Sequence, residues 1–178
     1  MSVTEGNAEK RIYTVLFIIL SCISVLPVWW FSYFLTADGP CHVYNASVLK
    51  SMWWGDGSFY SQFYNLNTEL EPNWFSHVAL AFLMLFVGIL TAEKILITAC
   101  VLGWAFGFRY LVKGLSSNSS YASLCIFPFL WQMVMFMGFY NYMLSIAAMF
   151  FICGYWMRYR MDMPVKRMVL VSAACVVM

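Results

Sequence analysis

The run IYTVLFIILSCISVLPVWWFSYFL, from Ile12 to Leu35, decides the class of this protein, because it carries no charged side chain over its whole length. A helix needs about 20 mostly apolar residues to cross the hydrocarbon of a bilayer, and this run supplies them. It is too long for the apolar part of a cleaved secretory signal. It is followed by Asp38, not by a small-residue cleavage site. It therefore reads as an uncleaved first membrane helix. Lys10 and Arg11 flank its start and place the N-terminus in the cytoplasm under the positive-inside rule.

Working outward, the rest of the chain has the same character. Hydrophobic residues make up 63% of it and charged residues only 10%, where a soluble domain carries about a quarter charged residues. Lipid is thus the solvent for most of the surface, and the lipid bilayer is the first partner. A net charge of +2, scattered along the chain, excludes nucleic acid as a partner. Further apolar segments run over Phe75–Ala92, Ile95–Val112, Tyr121–Met137 and Met143–Met157, and a sixth begins at Met168 and stops at Met178. The expectation is an all-α, polytopic bundle of about five to six transmembrane helices in the cytoplasmic membrane. Residues 1–178 would form the N-terminal part of a single membrane domain with its C-terminal remainder missing. Five of the cysteines, Cys22, Cys100, Cys125, Cys153 and Cys175, lie in apolar runs and read as buried packing thiols.

Between the first two apolar runs lies the longest polar stretch, Thr36 to Trp74, with Asp38, Asp56, Glu69 and Glu71 against a single Lys50. Its acidic balance suits the extracytoplasmic side. Within it, Pro40 fits the first turn of a helix. Trp53 and Trp54 suit a helix lying along the membrane surface, ended at Gly55-Asp56-Gly57. Simple alternation of spans then puts Arg158, Arg160, Lys166 and Arg167 outside. A hairpin turning at the outer face near Gly138-Phe139-Tyr140-Asn141 removes that conflict, provided Lys113–Ser120 lies inside.

Usable chemistry is scarce and clustered. Asp38-Gly39-Pro40-Cys41-His42 follows the first helix, and Asn45 shares a helix face with His42. A carboxylate there can act as a general base or hold a divalent cation, with His42 as a polar partner. It can equally cap the helix and complement its dipole. Glu71-Pro72-Asn73-Trp74 and His77 form a second cluster, in which Asn73 and His77 can face one side. Asn73 also has the chemistry of an N-cap. Tyr140-Asn141-Tyr142 is a third; its asparagine either joins helices or lines a cavity. Paired CxxC, HExxH and glycine-rich phosphate loops are absent from the sequence. Asn45-Ala46-Ser47 and Asn118-Ser119-Ser120 match the glycosylation acceptor pattern, which matters only in a eukaryotic secretory setting.

A membrane helix, an acidic motif at its outer end, a surface helix and a loop ending in Pro72-Asn73 together resemble the glycosyltransferase C superfamily. The runs DGPCHVYNA, PNWFSH and MGFYNY are also similar to those of bacterial membrane proteins with a DGPxH motif. The resemblance implies a polytopic enzyme that takes a sugar from a polyprenyl-phosphate carrier, an activity expected of the full-length protein and not of residues 1–178 alone. It makes Asp38 the general base or metal ligand, with His42 as its catalytic partner and Asn45, Asn73, His77 and Asn141 as substrate-binding residues. Superfamily members often carry a second acid after the first; here that position is Gly39, and His42 or Asn45 would supply the missing contact. Two rivals remain open: a non-catalytic transport or envelope-assembly subunit, and a hydrolase with a metal held by Asp38, His42 and His77.

Overall fold

The computed structural model describes residues 6–67, 69, 73–116 and 120–177. Glu71, Pro72, Asn118 and Ser119 lie outside them. The described chain is all-α, with the order α1 (Asn7–Trp30), α2 (Gly39–Trp54), α3 (Trp74–Leu83), α4 (Ile89–Leu115), α5 (Met133–Met137), α6 (Tyr140–Tyr159) and α7 (Val165–Val177). Two 3-10 helices, Tyr60–Gln62 and Tyr121–Phe129, complete it.

Among the described residues, two helices are long and apolar enough to cross a membrane, Asn7–Trp30 and Ile89–Leu115. The expected series of five to six spans is therefore redrawn. The proposed second span breaks after Leu83, and α4 starts at Ile89, ahead of the charged pair Glu93 and Lys94 that read as a boundary. Those charges sit inside a helix because both are satisfied there: Glu93 accepts from Tyr140, and Lys94 Nζ donates to the Phe31 carbonyl. The proposed span Tyr121–Met137 is a 3-10 helix and a short α-helix instead, with Pro128 in the 3-10 stretch. Proline lacks the N–H that a continuous α-helix would need there. The stretch from Pro40 to Trp54 is helical, as α2.

Helix directions follow from the contacts. Arg109 Nη2 donates to Thr14 Oγ1 at 2.8 Å and Trp29 Nε1 to Thr98 Oγ1 at 3.0 Å, so α1 and α4 are antiparallel. Gly103 faces Ala147, Gly107 faces Phe150, and Gly114 faces Gly154 and Arg158, so α4 and α6 are parallel. Small residues let these two backbones come close, which is how helices associate where lipid offers no hydrophobic drive. Residues 120–139 lie on the return between them. The core lies around α4, where Phe17, Ile97, Cys100, Val101, Leu130 and Met143 are fully buried.

This arrangement separates charge. Lys10, Arg11, Arg109, Lys113, Arg158, Arg160, Lys166 and Arg167 gather toward the end that holds the start of α1 and the ends of α4 and α6. The opposite end carries Asp38, Asp56, Glu69 and Glu93 with only Lys50 and Lys94. Large apolar side chains cover the outside of α1, among them Ile12, Val15, Ile19, Ile23 and Leu26. The cysteine expectation needs correction: Cys22, Cys100, Cys125 and Cys153 are free, but of these four Cys100 alone is buried, while the other three face outward from apolar segments; the Cys175 side chain lies outside the described ones.

Candidate functional site

At the acidic end the turn between α1 and α2 crosses the turn between α5 and α6, backbone against backbone. Ala37 N–H donates to the Phe136 carbonyl at 2.9 Å and Asp38 N–H to the Met137 carbonyl at 3.0 Å. Gly138 makes this possible twice over. Its φ of 82° is the left-handed region, which costs other residues energy. A Cβ there would also stand 3.0 Å from Gly39 N and 3.1 Å from Asp38 N. The DGPCH and MGFYN motifs are thus the two halves of one crossing.

Asp38 precedes α2 but makes no side-chain cap to it. Its carboxylate is not spent on the helix and lies near His42, one turn on, whose N–H donates to the Asp38 carbonyl at 3.0 Å. His42 Nδ1 and His77 Nε2 are hydrogen-bonded at 2.8 Å, bringing α2 and α3 together. Since an imidazolium can only donate, at least one ring of the pair is neutral. Burial holds His42 below the ordinary histidine range, against opposing pulls from the Asp38 carboxylate and the Gly138 carbonyl. Burial lowers His77 too, and His42 beside it adds to the effect.

His77 and Asn45 both line a cleft of about 230 Å³ between α2, α3 and the segment 64–67, together with Tyr64, Asn65 and Trp74. Asn73 and Asn141 serve differently. Asn73 occupies the N-cap position of α3 in a left-handed conformation, φ 73°, with no side-chain cap, so the N-cap role foreseen for it is corrected. Asn141 from α6 takes that role across the interface. Its Oδ1 accepts from Ser76 N–H at 2.7 Å, and its Nδ2 donates to the Asn73 carbonyl at 2.7 Å and Ser76 Oγ at 2.8 Å. These bonds make Asn141 a clamp between helices.

Beneath the crossing sits a polar group that the sequence reading missed. Tyr140, fully buried, donates to Glu93 Oε1 at 2.7 Å and stands 2.9 Å from Thr36 Oγ1. Glu93 is 4% exposed and Thr36 2%. The one signal available was the rule that an ionisable residue within an apolar run is functional by default.

Among the described residues no group of three His, Cys, Asp or Glu side chains is placed to hold a metal ion. His42 and His77 direct one nitrogen each at the other instead of at a shared point, which corrects the proposed three-ligand set. Compared with known proteins, the chain matches no family model, no curated protein and no solved structure.

Proposed function

We propose that this is a multi-pass protein of the cytoplasmic membrane, glycosyltransferase-like, which transfers a sugar from a polyprenyl-phosphate donor at the outer face. The observation that carries this reading is the Asp38 carboxylate, uncapped and fixed through its own backbone beside the His42–His77 pair. A carboxylate held in that way is available to accept a proton.

The orientation rests on the charge separation. Eight Lys and Arg side chains at one end, among the ten in the chain, mark the cytoplasmic side under the positive-inside rule. The N-terminus is then inside, and α2, α3 and the cleft are outside. In this reading the chain crosses on α1 and α4 and, less apolar than either, on α6, with 120–139 as the return. At about 1.5 Å per residue, α6 reaches about 30 Å, the thickness of the hydrocarbon.

In this mechanism the prenyl chain stays in lipid and the sugar enters the cleft lined by Asn45 and His77, its reacting end directed toward Asp38 and His42, which stand outside that lining. Asp38 takes the proton of an acceptor hydroxyl as its oxygen bonds to the anomeric carbon. The bond from that carbon to the phosphate oxygen breaks, and the lipid phosphate leaves. His42 and His77 orient the polar groups around this centre, and Asn45 contacts the sugar.

The test is to reconstitute the full-length protein in liposomes with a polyprenyl-phosphate-linked hexose and an excess of candidate acceptors. Protein-dependent release of lipid phosphate with sugar appearing on an acceptor supports the proposal. Movement of the intact solute with no bond cleavage would establish the transport alternative.

A further inference from the structure

Glu93 belongs to none of the groups placed in the proposed reaction, yet it is the most deeply buried acidic side chain among the described residues. Its partners explain why it is there. Tyr140 has a single hydroxyl proton, and that proton goes to Glu93 Oε1. The 2.9 Å contact with Thr36 is then made by the threonine hydroxyl donating to the Tyr140 oxygen. The result is a directed chain, Thr36 to Tyr140 to Glu93, joining the α1–α2 turn to α6 and α4.

Gly39 shows how tightly the turn is seated on this chain. A Cβ on Gly39 would collide with Glu93 Oε1 and Thr36 Oγ1 and lie 2.9 Å from the Tyr140 hydroxyl. Gly39 stands next to Asp38, and the Tyr140 ring lies against the His42 ring with centroids 5.3 Å apart. The same tyrosine therefore touches the turn, the histidine and the buried acid.

We infer that Glu93 is a positioning residue, which sets the placement of Asp38 and His42 by anchoring Tyr140 and, through it, Thr36 and Gly39. It touches neither substrate nor the reacting atoms. A glutamine, whose carbonyl oxygen accepts from the same hydroxyl, preserves the chain. A leucine of similar size ends it and leaves the Tyr140 hydroxyl without its acceptor in an apolar surround.

The inference rests on the site proposed above but can be read without any activity. The chain contains only two histidines, His42 and His77, so a histidine-labelled protein in lipid nanodiscs gives a two-residue imidazole spectrum. Glu93→Leu is expected to move the His42 ring nitrogens and weaken the Nδ1 to Nε2 hydrogen bond, while Glu93→Gln keeps the wild-type pattern. Tyr140→Phe, which removes one oxygen, should reproduce the leucine pattern, and adding Glu93→Gln to it should change nothing more. Ser123→Ala, which removes a buried Arg109 contact at the far end, serves as the control and should leave both histidines alone. Unchanged His42 signals in folded Tyr140→Phe or Glu93→Leu would overturn the inference. Shifted signals with no sugar transfer by wild-type protein would instead sink the transferase reading and leave the positioning role intact.

Discussion

His42 Nδ1 and His77 Nε2 are hydrogen-bonded at 2.8 Å, and this bond ties α2 to α3. Both rings are depressed below the ordinary histidine value of 6.5, chiefly by burial. Around them face the Asp38 carboxylate, the Gly138 carbonyl and the Tyr140 ring, and His42, when charged, pushes His77 further down.

The sign of the pH dependence follows. Below 6.5 an unfolded chain takes up protons on both histidines, whereas the folded pair resists until the pH reaches its lower values. Stability contributed by the neutral pair is therefore complete above 6.5 and is lost as pH falls from there toward the depressed values. Thermal unfolding in detergent should show this decline, and His77→Gln should flatten that part of the profile. A variant profile parallel to wild type would contradict the buried-pair account.

Gly138→Ala should be among the most damaging small changes. The left-handed backbone alone costs a non-glycine residue about 1–2 kcal/mol, and the new Cβ would press on Gly39 N and Asp38 N. Gly88→Ala is the contrast, because nothing lies within 4 Å of its Cβ position. Melting temperatures of the two variants measure the difference; equal values would mean the crossing is not tight.

Removing the Asn141 clamp should loosen α3. Asn141→Ala leaves the backbone N–H of buried Ser76 without its acceptor, at a cost of about 1–3 kcal/mol. Asn141→Asp retains the acceptor but loses both donated bonds, so its unfolding midpoint should fall between alanine and wild type.

Native Cys41 reports orientation without engineering. It is exposed in the first turn of α2. A membrane-impermeant maleimide added to intact right-side-out vesicles should label it, and Cys41→Ser should remove that label. Labelling only after permeabilisation would reverse the assigned sides.

How much of this was legible in the sequence depends on what each signal measures. Apolar runs located α6 to within three residues at each end and α1 to within five, and Pro40 with Gly55 framed α2, because hydropathy and helix breakers act locally. The break at Leu83 and the start of α4 at Ile89 were misplaced, because Glu93 and Lys94 looked like loop residues until their partners 47 and 63 positions away were known. The 3-10 return from Tyr121 has the same composition as a spanning helix, and only packing distinguishes them. The sequence marked Asp38, His42, His77 and Asn141 as polar residues out of place. It held no local sign that the two histidines would bond, or that Tyr140 would reach Glu93.

Asp38 is the centre of the account, and its substitution tests it most directly. Asp38→Asn keeps the size of the side chain and the backbone bond to Met137, so the protein should fold and keep the His42–His77 hydrogen bond, with only the His42 signals moved by the lost charge. With a polyprenyl-phosphate-linked hexose donor, the single-turnover rate of sugar transfer should fall at least about 100-fold. Transfer at near the wild-type rate by the folded variant would contradict the role assigned to Asp38.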